Sequence, residues 1–185
     1  MHLFAKTGKI LQTENGIIPP GGIDFTGVPA GNAERENTMM RIALGSDHGG
    51  YALKCRIKEH LESRGYECVD FGCHSLESCD YPDFGEAAAR AVAAGDCPRG
   101  IVICTTGIGI SIAANKVKGI RCAHCADTVE ARLTREHNDA NMLAIGAGFT
   151  GELLALEMVD VFLNTPFSEG ERHARRVAKV NAIQP

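Results

Sequence analysis

The stretch Gly100-Ile-Val-Ile-Cys-Thr-Thr-Gly-Ile-Gly-Ile-Ser111 decides how this chain is expected to fold. Its first five residues are apolar or small at successive positions, which is typical of a parallel strand buried on both faces. A glycine-rich turn follows at once, and residues 108–116 are predicted to form a helix. A strand that passes through a short turn into a helix is the repeating unit of α/β proteins.

The same alternation of strand and helix extends in both directions from this stretch. We predict strands at residues 41–45, 67–71, 100–104, 120–125 and 142–145. We predict helices at residues 52–64, 84–94, 108–116, 128–136, 152–163 and 169–180. This order predicts a three-layer, Rossmann-like α/β fold, with a five-stranded parallel sheet and helices on both faces. Ligands of such folds bind beyond the carboxyl ends of the strands, so the loops after the strands are where a site is expected.

The composition excludes several classes of function. Of the 185 residues, 44% are hydrophobic and 23% are charged, and the net charge of -4 gives no basic surface for nucleic acid or an acidic membrane. No apolar run is as long as a membrane-spanning helix, and residues 1–10 lack the apolar core of a secretory signal. We therefore expect a cytoplasmic protein with neither nucleic acid nor membrane as a partner. Its eight cysteines are expected to be reduced thiols.

Residues 1–39 differ from the rest of the chain. They are rich in glycine and proline and show no sustained periodicity. We predict a flexible N-terminal extension over residues 1–39 and a folded domain over residues 40–185. The extension is interpreted either as an artefact of an upstream start or as an arm that packs on a partner subunit, and we favour the first.

Two loops after predicted strands carry residues capable of chemistry. Asp47 and His48 follow the first strand between glycines, and a turn capped by Asp47 explains them as well as a site does. Cys104 ends the third strand, before a turn whose N–H groups favour anions and promote the thiolate. A thiolate beside such amides suits deprotonation next to a carbonyl. A buried structural cysteine is nevertheless the common explanation for a thiol at a strand end.

A CxxC pair, Cys122 and Cys125, allows a redox or zinc interpretation. Both residues lie inside a predicted strand, which would direct the two thiols to opposite faces. A second pair of zinc ligands is not evident in the sequence. The pair is therefore a weak candidate site.

Two polar clusters near the end of the chain complete the candidates. Arg172 and Arg176 are four residues apart and share a helix face, which suits a phosphate but also suits a solvated basic face. His137 and Asn138 lie at a predicted helix end, where ordinary capping accounts for them.

Taken together, these segments resemble the ribose-5-phosphate isomerase B family, which also includes galactose-6-phosphate isomerase subunits. The stretches that carry the resemblance are GSDHGGYALK (45–54), DYPDFG (80–85), GIVICTTGIGISIAANKVKGIR (100–121), REHNDANMLAIGA (135–147) and GERHARRV (170–177). They occur in the family's order and span residues 40–185, and the first 39 residues lie outside the resemblance.

The resemblance implies an aldose–ketose isomerase that interconverts ribose 5-phosphate and ribulose 5-phosphate through a cis-enediolate, without a metal or cofactor. Cys104 would be the base that takes the proton from C2 and returns it at C1. Some relatives use a glutamate six residues further on, and that position is Ile110 here. Thr106 and the amides of Gly107 and Gly109 would hold the enediolate oxygens.

The resemblance also implies roles at the ring, the sugar and the phosphate. Asp47 and His137 would assist ring opening and proton movement between O1 and O5. The residues lining the sugar would be His48, Tyr81 and Asn138. The residues holding the phosphate would be Arg172, Arg176 and His173. The family places this site between two subunits, so the resemblance implies a homodimer or homotetramer, with the C-terminal helix towards the partner subunit.

Two departures from the family pattern concern the choice of sugar. Thr105 stands where ribose-specific relatives commonly have glycine, and its side chain would narrow the pocket or alter the aim of one amide. Gly148 stands where many relatives carry a phosphate-binding arginine. An isomerase of galactose 6-phosphate, allose 6-phosphate or a tetrulose phosphate therefore remains an alternative. A non-catalytic sugar-phosphate-binding subunit is another.

Overall fold

A computed structural model describes residues 39–183. The predicted N-terminal extension lies outside the described residues except for Met39, so its role stays a prediction. Within the described part of the chain, none of the helices is both long and apolar enough to cross a membrane.

Residues 39–183 form five strands, all parallel. They are β1 (Arg41–Ser46), β2 (Glu67–Asp70), β3 (Arg99–Cys104), β4 (Cys122–His124) and β5 (Met142–Gly146). Their order in the sheet is β2-β1-β3-β5-β4. Because β2 adds to one side of β1 and the later strands add to the other, the winding reverses between β1 and β3. In α/β sheets this reversal opens a crevice at the carboxyl ends of the two strands.

Six helices connect and follow these strands within the same residues. They are α1 (Tyr51–Glu62), α2 (Tyr81–Ala94), α3 (Ile108–Ala114), α4 (Thr128–Asn138), α5 (Glu152–Asn164) and α6 (Glu171–Ile183). Helices α1, α4 and α5 share one hydrophobic cluster with the sheet, and α2 and α3 share the other. The predicted three-layer arrangement with a five-stranded parallel sheet is therefore confirmed.

The central strand β3 is buried on both faces, as its uninterrupted apolar sequence predicted. Ile101 and Ile103 pack into the cluster on the α1 side of the sheet. Val102 and Cys104 pack into the cluster on the α2 side. The two-residue period of a strand thus places the Cys104 side chain on the face that α2 and α3 cover.

Most elements differ from the predicted boundaries by one to three residues, and two of these differences have evident local reasons. Helix α2 begins at Tyr81 rather than at residue 84, because Pro82 fits the first turn, where a missing N–H costs nothing. Strand β4 is limited to Cys122–His124, whereas residues 120–125 were predicted. The N–H of Arg121 binds the side-chain oxygen of Asn141 at 2.8 Å, so the ladder with β5 begins only at the next residue.

Helix α6 differs from the helices that cover the sheet, because it buries none of its own residues within the single chain. It contacts α4 and leaves the apolar side chains of Val180 and Ile183 48% and 80% exposed. The predicted direction of this helix towards a partner subunit stays a prediction.

Candidate active site

Cys104 lies at the carboxyl end of β3, next to the turn that begins α3. Its side chain is 4% exposed, and its sulfur accepts a hydrogen bond from the N–H of Gly107 at 3.1 Å. The hydroxyl of Thr106 lies 3.9 Å from the same sulfur. Gly107 has a φ of 76°, a conformation that L side chains rarely adopt, so glycine suits the position whose N–H donates to the sulfur.

Asp47 and His48 face the same crevice from the loop after β1. The buried carboxylate of Asp47 accepts the N–H of Gly50 at 2.9 Å, so the capped turn considered from sequence is present. Nδ1 of His48 accepts the N–H of Cys79 at 3.2 Å. A neutral imidazole that accepts at Nδ1 carries its proton on Nε2, so His48 can donate a hydrogen bond from that atom.

Tyr81 closes the crevice from the side of α2. A Cβ added at Gly109 would lie 2.6 Å from the Cζ atom of the Tyr81 ring. Glycine at position 109 therefore lets the phenol approach the backbone of the turn after Cys104. Asp47, His48, Tyr81, Cys104 and this turn form one group at the carboxyl edge of the sheet.

A second group of predicted residues lies at the opposite edge. His137 and Asn138 end α4, and a helix that connects parallel strands runs antiparallel to them. The 11 residues of α4 span about 16 Å, which carries its end to the amino edge of the sheet. The His137 ring lies 4.4 Å from the ring of His173 on α6. The backbone carbonyl oxygen of Asn138 accepts a hydrogen bond from Nε of Arg121 at 3.0 Å.

Within this second group, His173 lies near the basic side chains of His137, Arg172 and Arg176. Removal from solvent lowers the pKa of His173, and the charges of His137, Arg172 and Arg176 lower it further. Arg172 and Arg176 are exposed on α6, with no carboxylate within ion-pair distance among the described residues. The cluster therefore has the electrostatic character of an anion site.

His124 is a residue of the crevice that sequence reasoning missed. It ends β4, and a Cβ added at Gly107 would lie 2.5 Å from Cδ2 of its ring. The imidazole therefore packs directly against the turn that holds Cys104. The signal available in the sequence was its position at the end of a strand. The strand was predicted to run to residue 125, so His124 was placed inside the strand instead of at its end.

The CxxC pair does not form a site. Cys122 packs in the hydrophobic cluster on the α2 side of the sheet and Cys125 in the cluster on the other side. Burial raises the pKa of Cys125 to about 12 and raises that of Cys122 as well. Two protonated thiols on opposite faces of a sheet cannot ligate one zinc ion or form a disulfide with each other.

A thiol, an imidazole and a carboxylate lie together at the switch point of a doubly wound α/β sheet, which is an arrangement suited to proton transfer on a bound ligand. The chain belongs to the ribose/galactose isomerase family, whose model matches residues 42–180. The family membership predicted from the sequence is thereby confirmed.

Individual relatives agree with this assignment. Ribose-5-phosphate isomerase B of Escherichia coli is 47% identical over 146 residues, which are 79% of this chain and 97% of that protein. The solved structure of ribose-5-phosphate isomerase B from Clostridium thermocellum is 58% identical, with a TM-score of 0.76 over 78% of this chain and 97% of that one. The type B ribose 5-phosphate isomerase of Trypanosoma brucei is 42% identical, with a TM-score of 0.77 over 79% and 99% of the two chains.

Proposed function

We propose that this protein interconverts ribose 5-phosphate and ribulose 5-phosphate, with Cys104 as the base. The observation that carries the proposal is the N–H of Gly107, 3.1 Å from the Cys104 sulfur at the switch point of the sheet. The relatives described above are ribose-5-phosphate isomerases, which supports ribose 5-phosphate as the sugar.

The proposed reaction uses the groups at the crevice together with His137. Asp47 and His137 assist opening of the furanose ring by moving the proton from O1 to the ring oxygen, which is O4 in ribose 5-phosphate because O5 carries the phosphate. The thiolate of Cys104 removes the proton from C2. The C2–H electron pair forms the C1=C2 double bond of a cis-enediolate, and the carbonyl electron pair moves to O1. The hydroxyl of Thr106 and the amides of Gly107 and Gly109 hold the enediolate oxygens while the hydroxyl proton passes from O2 to O1. The thiol then returns its proton to C1, and C2 becomes the carbonyl of the ketose.

The remaining proposed contacts position the substrate without taking part in proton transfer. The sugar hydroxyls are lined by His48, Tyr81 and Asn138. The phosphate is held by Arg172, Arg176 and His173. A phosphate at this cluster offsets the mutual repulsion of its cations, which anchors the sugar away from the reacting carbons.

The site requires two chains, because its two groups lie at opposite edges of one sheet. The length of α4 separates them by about 16 Å, more than the length of a pentose phosphate. We therefore propose a homodimer, or a homotetramer built from such dimers, in which the cationic cluster of one subunit faces the crevice of the other. The unburied α6, with its exposed Val180 and Ile183, supports a role for this helix at the interface.

A substrate panel tests the proposed reaction. The purified protein is expected to form ketose from ribose 5-phosphate with a kcat/KM at least tenfold above those for allose 6-phosphate, galactose 6-phosphate and erythrose 4-phosphate. A higher kcat/KM for one of the other three would favour the second candidate, an isomerase of a different sugar phosphate. Thr105 and Gly148 are the two departures from the family pattern that motivate this candidate. Binding of all four without turnover would instead indicate a sugar-phosphate-binding subunit.

A cytoplasmic location is part of the same proposal. The eight cysteines all lie within the described residues and are free thiols. Reduced thiols are expected in compartments that contain glutathione and thioredoxin.

A further inference from the structure

The loop after β2 carries two free cysteines that the proposed reaction does not use, Cys73 and Cys79. We propose that this pair is a redox-modification site, at which a low-molecular-weight disulfide joins the two cysteines and thereby removes the hydrogen-bond donor of His48. The inference adds a reversible means of control to the isomerase. Its effect on activity rests on the proposed function, because His48 is proposed there to line the sugar.

Both cysteines are anchored beside the loop after β1. The N–H of Cys73 donates to the carbonyl oxygen of Ser46 at 2.6 Å, and the N–H of Ser46 donates to the carbonyl oxygen of Gly72 at 2.6 Å. The N–H of Cys79 donates to Nδ1 of His48 at 3.2 Å. Ser46 and His48 are only two residues apart, which separates their Cα atoms by at most about 7 Å. The two ends of the segment 73–79 are therefore held close together.

The two side chains interact as well. Removal from solvent raises the pKa of Cys79, and a hydrogen bond with the thiol of Cys73 raises it further. The Cys79 sulfur also lies 4.0 Å from Nδ1 of His48. Disulfide formation requires two side chains that already face each other with close Cβ atoms. Thiols that hydrogen-bond to each other from the two ends of one loop meet this requirement after a local adjustment.

The two cysteines differ in access and in freedom to move. Cys73 is 5% exposed, whereas Cys79 is half-buried. The backbone of Cys73 is held on both sides, because its N–H binds Ser46 and its carbonyl oxygen accepts the ammonium group of Lys54 at 2.7 Å. The intervening residues 74–78 are exposed. Closure of the S–S bond should therefore move Cys79 rather than Cys73, and it withdraws the Cys79 N–H from the His48 ring.

The chemical step is a two-electron thiol–disulfide exchange with oxidised glutathione. The thiolate of Cys79 attacks one sulfur of the reagent, whose S–S bond breaks and releases one glutathione thiolate. The thiolate of Cys73 then attacks the Cys79 sulfur and releases the second glutathione. The two cysteine protons end on the two glutathione molecules, so the cysteines are oxidised and the reagent is reduced. The raised pKa of Cys79 slows the first attack without changing the products, so the exchange is measured at equilibrium.

Loss of the Cys79 N–H changes what His48 can offer to a sugar. While Nδ1 accepts that N–H, the proton of the neutral ring stays on Nε2. Without the donor, either nitrogen can carry the proton and the ring can turn. Misplacement of a positioning group by about 1 Å can cost about 10²-fold in rate. We therefore expect the disulfide form to have a kcat/KM at least tenfold below that of the dithiol form.

Peptide mapping tests the disulfide itself and needs no turnover. The whole protein is equilibrated with mixtures of reduced and oxidised glutathione, its remaining thiols are alkylated, and it is cleaved after glutamate. Because Glu77 lies between the two cysteines, the disulfide should appear as residues 68–77 joined to residues 78–86, with Cys68 alkylated. Absence of this joined pair under excess oxidised glutathione overturns the inference, and so does a predominant bridge to any other cysteine.

The activity test follows ribose 5-phosphate isomerisation in the same mixtures. The unsubstituted protein should lose at least tenfold in kcat/KM as the disulfide forms, and dithiothreitol should restore it. Cys79→Ser keeps the backbone N–H that binds His48, so its kcat/KM should stay within about twofold of its reduced value. The matched control is Cys55→Ser, which replaces another half-buried cysteine, on α1, and should be inactivated like the unsubstituted protein.

The outcomes separate this inference from the proposed function. Equal inactivation of Cys79→Ser would assign the loss to another thiol, such as Cys104, and would overturn the inference. Full activity of the disulfide form would also overturn it, and so would protection by Cys55→Ser. If the fully reduced, unsubstituted protein turned over no sugar phosphate, the proposed function would fail, and the joined peptides would still decide whether the disulfide forms.

Discussion

Among single residues, Cys104 is the one on which the proposed proton transfer depends. Cys104 is 4% exposed, and the N–H of Gly107 donates a hydrogen bond to its sulfur at 3.1 Å. The turn leaves no room for a side chain at position 107, since a Cβ there would lie 2.5 Å from Cδ2 of His124 and 2.8 Å from the backbone nitrogen of Gly146.

Replacing Cys104 with alanine should remove activity and leave the fold intact. Loss of a general base lowers kcat by about 10²–10⁴-fold, whereas loss of one buried sulfur costs about 1 kcal/mol of stability. The matched control is Cys97→Ala, because Cys97 lies in the same hydrophobic cluster but near the amino end of β3. Ketose formation and thermal unfolding measure the two effects. Full activity in folded Cys104→Ala would assign the base to another group.

Lys54 is a second residue whose placement matters, and sequence reasoning did not single it out. Its side chain is fully buried, and its ammonium group contacts Asp70 at 2.5 Å and the carbonyl oxygen of Cys73 at 2.7 Å. Asp70 also accepts the N–H of Gly72, so one ion pair holds the start of the loop after β2. That loop continues to Cys79, whose N–H orients His48.

Lys54→Met should destabilise the fold by about 3 kcal/mol, because it leaves the Asp70 carboxylate without its buried partner. The control is Lys58→Met on the same helix, where the exposed pair with Glu62 at 4.0 Å should be worth less than about 0.5 kcal/mol. Urea unfolding at neutral pH compares the two variants. Equal losses of unfolding free energy in the two variants would mean that the buried pair of Lys54 and Asp70 stabilises the fold no more than the exposed pair of Lys58 and Glu62.

Individual residues also show what sequence reasoning can and cannot separate. Asp47 was considered either as a turn cap or as a site residue, and it caps the turn while facing the crevice. A pattern of glycines around one carboxylate fits both roles, so only coordinates could show that they coincide. Lys54 carried no local signal, because its importance comes from contacts with residues distant in the sequence. The position of His124 at a strand end was a signal, but the strand was predicted to continue beyond it.

Among the elements, α6 carries the cationic side chains proposed to hold the phosphate. Arg172→Ala should raise KM for ribose 5-phosphate by about tenfold with little change in kcat, because it removes binding shared by the ground and transition states. The control on the same helix is Arg175→Ala, since Arg175 lies 4.0 Å from Glu171 and outside the proposed phosphate contacts. An unchanged KM in Arg172→Ala would place the phosphate elsewhere.

His173 on the same helix provides a readout that is independent of turnover. Burial and the neighbouring cations lower the pKa of His173, because both disfavour its protonated form. A bound phosphate favours the protonated form of His173, so inorganic phosphate should raise the pKa of His173. By linkage, phosphate should bind more tightly as the pH falls through this pKa. An NMR titration of the His173 ring with and without phosphate measures the shift. A pKa that falls or stays constant at saturating phosphate would remove His173 from the anion site.

The elements were largely predictable because each follows from local sequence. Uninterrupted apolar runs identified β3 and β5, and apolar residues four apart identified α1. One error occurred where a side chain replaced a backbone partner. The side-chain oxygen of Asn141 binds the N–H of Arg121, so β4 begins later than predicted, and no hydrophobic pattern reports such a bond. The error at the start of α2 has a different cause, because Pro82 lies within its first turn.

For the whole molecule, the decisive feature is that the proposed site residues fall at two edges of one sheet. Alternation of strands and helices fixes this, because each loop after a strand lies at the carboxyl edge and each end of a connecting helix lies at the amino edge. Cys104 follows a strand, and His137 ends α4. In the proposed homodimer a single subunit would contribute half of each of two sites, and the symmetry of the dimer would make the two sites equivalent.

Subunit complementation tests this division directly. Cys104→Ala and His137→Ala should each be inactive as homodimers, because every site lacks one group. In a mixed dimer one site carries both defects and the other carries neither, so random reassortment should restore about a quarter of the unsubstituted activity. The two proteins are mixed after reversible dissociation, and ketose formation from ribose 5-phosphate is measured.

The control for complementation mixes Cys104→Ala with the double variant Cys104→Ala/His137→Ala, which cannot form an intact site and should stay inactive. Recovery in the first mixture alone would show that the thiol of one subunit works with the imidazole of another. If both groups acted within one chain, no mixture of the two single variants would exceed the sum of their separate activities. The test therefore discriminates between a shared and an internal site, because reassortment creates a new pairing only when the site crosses the subunit boundary.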